Sequence, residues 1–198
     1  MNIALLDYGV GNLHSLAKAL VSPGHRVRIA SSAAEALRAD ALVLPGVGNF
    51  GAAAQRIAPE RVALHDALLD GMPCLGICLG MQLLFEASEE AEGAGIGIFA
   101  GAVTRLQTER VPHMGWNQVD PHDDAIFTGT APLVAYFANS YVCAPTDPAA
   151  TIAWTEYGDT RFPAAVRRGS TWGVQFHPEK SAAPGLRLLH NFLAAVAP

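Results

Sequence analysis

Short apolar runs and helically spaced apolar positions alternate along the first half of the chain. The runs over 3–7, 27–30, 41–44 and 74–78 have the length of buried strands. The segments over 12–20 and 33–37, a stretch reaching about 69, and 79–87 read as helices. Strands alternating with helices predict βαβ units around a parallel sheet. Ser32, followed three residues later by Glu35, fits a capping box and starts a helix just after the second strand. From about residue 100 the pattern shortens to strand-like pieces at 102–106, 134–137, 151–155, 164–167 and 171–176, an antiparallel extension with returning strands. Residues 88–97 and 107–125, rich in Gly, Pro, Glu and Asp, read as loops. From Gly185 onward Leu186, Leu189, Leu193 and Val196 lie at helical spacing and close the chain with an amphipathic helix. No repeat or linker divides it, so residues 1–198 read as one domain.

Composition adds a large core. Hydrophobic residues make up 51% and charged residues 16%, against roughly 25% charged in an average soluble protein. Part of so uncharged a surface is expected to belong to a partner-binding face. Thirteen Lys plus Arg against 18 Asp plus Glu leave a net charge of -5 without a basic stripe, which excludes nucleic acid as a partner. Three cysteines in a chain too large to need stapling point to a reducing compartment, and the expected location is cytoplasmic. The N-terminal apolar run lacks the basic residues of a signal peptide. No apolar run approaches the roughly 18 residues of a membrane span, so no membrane partner is expected.

Candidate chemistry begins at Gly76-Ile77-Cys78-Leu79-Gly80, where a cysteine flanked by small residues joins an apolar strand to an apolar helix. That is the context of a nucleophile elbow. A sulfur held there faces helix N-terminal N–H groups, which favour thiolate over thiol. As a bare pattern it fits a buried, inert cysteine equally well. Cys74 lies about 13 Å from Cys78 along a strand, too far to share a metal ion, and reads as strand core. Cys143 has no acid or histidine beside it and reads the same way. His177 ends a strong β run in Gln175-Phe176-His177-Pro178-Glu179. Proline disfavours helix for its predecessor, so 177–179 are expected to be extended, with Glu179 on the same side as His177 and able to orient the imidazole. His14, His25, His65, His113, His122 and His190 lack such a partner and read as surface or local structural residues. Pro45-Gly46-Val47-Gly48-Asn49 follows the third strand, and its two glycines allow a peptide N–H to turn inward toward an oxyanion. The third and fourth strands would end side by side at the carboxyl edge, where open α/β sheets hold their ligands.

Pro45-Gly46-Val47-Gly48, the run from Gly76 through Cys78 to Gln82, and the run from Gly173 through His177 and Glu179 to Ser181 together resemble the class I, triad-type glutamine amidotransferases. The resemblance implies a flavodoxin-like, three-layer α/β sandwich: a central, mostly parallel sheet, helices on both faces and a small antiparallel extension. It implies that Cys78 attacks the side-chain amide of glutamine, His177 shuttles the proton and Glu179 orients His177. The N–H groups of Val47 or Gly48 and of Leu79 would hold the oxyanion, and Gln82, Glu90, Asn139 and Ser140 the glutamine. Residues 7–13 and 112–117 are similar to the branch of that family that serves histidine biosynthesis. There the ammonia passes to a (β/α)₈-barrel cyclase forming imidazole glycerol phosphate, a separate subunit in a heterodimer. By that resemblance Asn12, Met114, Trp116, Asn117 and Tyr136 lie at the docking face, and neither cofactor nor metal is implied. The family commonly carries histidine where this chain has Asn139, an amide that hydrogen-bonds but does not titrate near neutral pH. The alternatives are a triad glutaminase serving another ammonia-dependent synthetase, against which 112–117 argue, and a scaffold that keeps the fold without turnover.

Overall fold

The computed structural model describes residues 1–9 and 13–197. The strands, in chain order, are β1 (Asn2–Leu6), β2 (Arg26–Ala30), β3 (Ala41–Leu44), β4 (Cys74–Ile77), β5 (Phe85–Ser88), β6 (Phe99–Arg105), β7 (His113–Gln118), β8 (Asp120–Pro121), β9 (Val134–Asn139), β10 (Tyr141–Pro145), β11 (Thr151–Tyr157), β12 (Thr160–Arg168) and β13 (Thr171–Val174). The helices are α1 (Leu13–Ala19), α2 (Ala33–Ala36), α3 (Phe50–Ile57), α4 (Arg61–Leu69), α5 (Leu79–Leu83) and α6 (Ala182–Ala195). An eight-stranded sheet runs in the order β2-β1-β3-β4-β13-β12-β11-β8. Its first five strands are mutually parallel, and β12, β11 and β8 extend it antiparallel. A three-stranded sheet, β10-β6-β5, and a two-stranded ribbon, β7-β9, stand beside it.

Side-chain alternation along the parallel strands divides the core into two layers. Ile3, Leu5, Val43, Leu75 and Ile77 pack on one face, with Leu16 and Leu20 from the α1 segment and Leu188, Leu189, Phe192 and Leu193 of α6. Ala4, Leu6, Leu42, Leu44 and Cys74 point to the other face, against α2, α3, α4 and α5. Both faces of the central strands are covered, which is why these strands read as unbroken apolar runs. The expected α/β sandwich with helices on both faces is the fold observed.

Ser32 caps α2 by accepting from the Glu35 N–H at 3.2 Å. The Glu35 carboxylate reaches one residue further back than in an ideal capping box, to the Ser31 N–H at 2.9 Å.

Several expected boundaries give way. The helix expected over 79–87 ends at Leu83, and residues 85–88 form β5 instead. All five residues of α5 are buried, and a segment apolar on every side has no period by which helix and strand can be told apart. The loop expected over 107–125 contains β7 and β8. Residues 141–145, given no element from sequence, form β10 along β6. The closing helix begins at Ala182, three residues before Gly185, and Leu186 on it is exposed.

Candidate active site

Strand register brings the candidate residues together. β4 and β13 are parallel neighbours with Ile77 opposite Val174, so Cys78 leaves its strand beside Gln175. The Cys78 N–H donates to the Val174 carbonyl at 2.7 Å and pins that junction. Cys78 then turns sharply, at φ 48° and ψ -104°, into α5. A non-glycine residue in such a conformation stores on the order of 1–3 kcal/mol of strain, held by its surroundings. The flanking glycines explain how the turn fits: a Cβ on Gly76 would lie 2.6 Å from the Gly80 carbonyl oxygen, and one on Gly80 would lie 2.1 Å from that of Leu44. Cys78 is the elbow residue expected from sequence.

His177 sits three residues beyond the end of β13 and is almost wholly buried. Its Nδ1 lies 2.9 Å from Glu179 Oε1, and its ring hydrogen-bonds the Cys78 sulfur. The contact with Glu179 is the one expected, but its backbone is not. His177 is extended, whereas Pro178–Lys180 form a 3₁₀ turn, so the carboxylate folds back instead of lying along an extended strand. Proline at the first position of that turn supplies its fixed φ without giving up a needed N–H. Burial pushes the His177 imidazole down, but its bonds to the Cys78 sulfur and the Glu179 carboxylate outweigh this and raise it to about 9. The imidazole is therefore held protonated at neutral pH.

A cavity of about 210 Å³ opens over Cys78, lined by Gly46, Val47, Gly48, Leu79, Gln82, Glu90 and residues 138–141. Its size suits a small, amino-acid-sized ligand. The loop after β3 closes one side: a Cβ on Gly46 would lie 2.6 Å from the Ile77 carbonyl oxygen, and Gly48 is at φ 129°. The hydroxyl of buried Tyr8 donates to the Pro45 carbonyl at the foot of this loop. Burial above all pushes that phenol up, so it stays a donor. Glu90 Oε2 accepts from the Phe50 N–H at 2.8 Å, tying the cavity wall to the start of α3. Asn139 donates to the Tyr141 carbonyl at 3.1 Å, and its Oδ1 is buried without a partner among the described residues. Ser140 lines the same wall. Cys74 and Cys143 lie in the core, where burial pushes both thiols up. A larger groove of about 520 Å³, lined by Asn117, Trp154 and Arg161 among others, shares no lining residue with this cavity, and no cysteine or histidine among the described residues lines it.

The residues expected at a docking face divide. Asn12 lies outside the described residues. Met114 and Trp116 project from β7 and are 61% and 55% exposed. Asn117 donates inward to the Glu156 carbonyl at 2.6 Å. The Tyr136 ring meets Trp116 edge-on at 6.2 Å. The backbone of Tyr136 is tied to His177: its carbonyl accepts from the His177 N–H at 2.8 Å. Ser181, fully buried, accepts from the Tyr136 N–H at 2.9 Å and donates to the His177 carbonyl at 2.6 Å.

Three residues of this site were not singled out from sequence. Tyr8 reaches the Pro45 carbonyl and Ser181 the Tyr136 N–H across long sequence separations, which no local pattern signals. Gln175 lies within the run from Gly173 to Ser181, and its place directly after β13 and beside the elbow is the signal that marks it.

Residues 4–196 match the family described as glutamine amidotransferase class-I. The imidazole glycerol phosphate synthase subunit HisH of Thermosynechococcus vestitus is 46% identical over 202 residues, covering 98% of this chain and 97% of that one. The subunit of the same name from Pyrococcus furiosus is 46% identical over 193 residues, covering 96% and 97%. A crystal structure of a glutamine amidotransferase superposes with a TM-score of 0.76 at 20% identity over 98% of each chain, a likeness of fold.

Proposed function

The chain belongs to the class I glutamine amidotransferase family, and from that premise we propose that it is the glutaminase subunit of an imidazole glycerol phosphate synthase. In this reading it hydrolyses glutamine and passes the ammonia to a separate cyclase subunit in histidine biosynthesis. The observation that carries the chemistry is the chain of contacts from the strained elbow residue Cys78 to His177 and on to Glu179. The specificity follows from the near full-length likeness to HisH subunits.

The Cys78 thiolate attacks the side-chain carbonyl carbon of glutamine. A carbon–sulfur bond forms, and the carbonyl electron pair moves onto oxygen. N–H groups of Val47 or Gly48 and of Leu79 stabilise that oxyanion. As the intermediate collapses, the imidazolium of His177 gives its proton to the departing nitrogen and ammonia leaves. Neutral His177 then takes a proton from water, whose oxygen attacks the thioester. The carbon–sulfur bond breaks, glutamate leaves and the thiolate–imidazolium pair is restored. Glu179 holds the ring orientation and stabilises the imidazolium throughout. Gln82, Glu90, Asn139 and Ser140 bind the amino-acid end of the substrate, and the Met114–Trp116 face receives the cyclase. The cytoplasm suits the reading, since Cys78 must remain a free thiol.

The test is glutamate release by the purified chain, alone and with cyclase plus the cyclase's nucleotide ligand. The expected result is slow release alone, a large rise in the complex, and a drop of about 10³-fold or more in Cys78→Ala. A ligand-loaded complex that released no glutamate, or a Cys78→Ala variant that kept the release, would end the proposal.

A further inference from the structure

Gln175 is completely buried, and a buried primary amide needs partners at both ends. Its Nε2 lies 3.5 Å from Cys78 Sγ, and its Oε1 lies 3.4 Å from Gln82 Nε2. A backbone carbonyl fixes which end is which. Gln82 Nε2 also donates to the Tyr141 carbonyl at 3.1 Å, an oxygen that can only accept. The nitrogen of Gln82 must therefore face Tyr141, and its second hydrogen points to an acceptor, the Oε1 of Gln175. Turning either amide around would set oxygen against oxygen or NH₂ against NH₂. The NH₂ of Gln175 is left directed at the sulfur. With both hydrogens of Gln82 engaged, its own carbonyl is the group available to a ligand in the cavity it lines.

We propose that Gln175 is a catalytic residue, a neutral donor that, beside His177, holds the Cys78 sulfur as thiolate and links it through Gln82 to the substrate cavity. A hydrogen bond to a charged acceptor is stronger than one to its neutral form, so the contact favours the thiolate over the thiol. The register that sets Ile77 opposite Val174 makes the contact a direct consequence of the sheet. The proposal rests on the glutaminase reading only in taking Cys78 as the nucleophile.

The experiment is the pH dependence of Cys78 alkylation by iodoacetamide in the full chain, read at Cys78 by peptide mass spectrometry. Parent, Gln175→Met and Gln82→Met are compared, with thermal unfolding as the check on folding. Methionine fills a similar volume without donating, so a purely structural role would leave the profile in place. The expected result is a rise of about one pH unit in the alkylation midpoint of Gln175→Met. Gln82→Met, which removes the amide that orients Gln175 and leaves the Gln175 donor in place, is expected to give a smaller rise in the same direction. Unchanged midpoints in the folded variants overturn the proposal, and if Gln175→Met fails to fold, Gln82→Met decides alone. Glutamate release by the parent is measured separately. Shifted midpoints in a chain that releases no glutamate would keep Gln175 in its role and remove the glutaminase reading.

Discussion

The carboxyl edge of the parallel sheet and the outer face of the β7–β9 ribbon treat similar residues in opposite ways. At the sheet edge the polar groups are buried and paired: Gln175 and His177 have lost nearly all contact with water and bond to Cys78, Gln82 and Glu179. On the ribbon the burial is inverted. His113 lies inside, stacked between Phe137 at 4.7 Å and Tyr157 at 4.0 Å, while Met114 and Trp116 stand in solvent. Large apolar groups left outside on a chain with so few charged residues suit the docking face proposed for the cyclase. The first region brings Cys78, His177 and Glu179 together, and the second is the face proposed to receive the cyclase. They are also joined, because Tyr136 of the ribbon shares its backbone hydrogen bonds with His177 and Ser181.

That contrast predicts that substitutions at the edge change the chemistry and substitutions on the ribbon change association. The largest effect is expected from Glu179→Gln. It should keep the fold and lower glutamate release about 10³-fold, measured in the complex, since the imidazolium loses its carboxylate. The same variant changes stability against pH. His177 is raised from 6.5 to about 9 in the folded protein, so the stability contributed by its protonated form is fully present below about 6.5 and is lost as pH rises through about 9. Denaturant titrations across that window should show the parent losing stability on the alkaline side and Glu179→Gln losing less.

The next effect belongs to the ribbon. Trp116→Ala should leave folding stability within about 0.5 kcal/mol, as expected of an exposed residue. It should weaken cyclase binding about 30-fold, as loss of an aromatic anchor does. Calorimetric titration with the cyclase measures the second quantity. An equal loss in both would remove the distinction between the two regions.

The smallest effect lies beneath the ribbon. Burial lowers His113 to about 4, so the neutral ring contributes stability that is present above 6.5 and is lost as pH falls toward 4. His113→Phe keeps an aromatic ring in the stack and should flatten that acid-side loss, readable from unfolding midpoints at pH 4 to 7.

The same inversion explains what the chain made legible. The parallel strands are buried on both faces and announce themselves as apolar runs, and the elbow and the His177–Glu179 pair announce themselves by spacing. β7 does not, because polar His113 points inward while Met114 and Trp116 point outward, the reverse of what hydrophobic alternation looks for. The 3₁₀ turn of Pro178–Lys180 escaped for a related reason: proline restricts the residue before it, and its own φ is equally at home in a tight turn. The contact of Tyr8 with Pro45 needs β1 beside β3, that of Gln175 with Cys78 needs β13 beside β4, and that of Ser181 with Tyr136 joins residues far apart in the chain.

The most direct test of the central claim is labelling of the full chain with an electrophilic glutamine analogue, followed by mass mapping of all three cysteines. One adduct is expected, on Cys78, slowed by added glutamine, with Cys74 and Cys143 untouched in the core. Labelling that glutamine does not slow, or that falls on Cys74 or Cys143 in the folded protein, would contradict it.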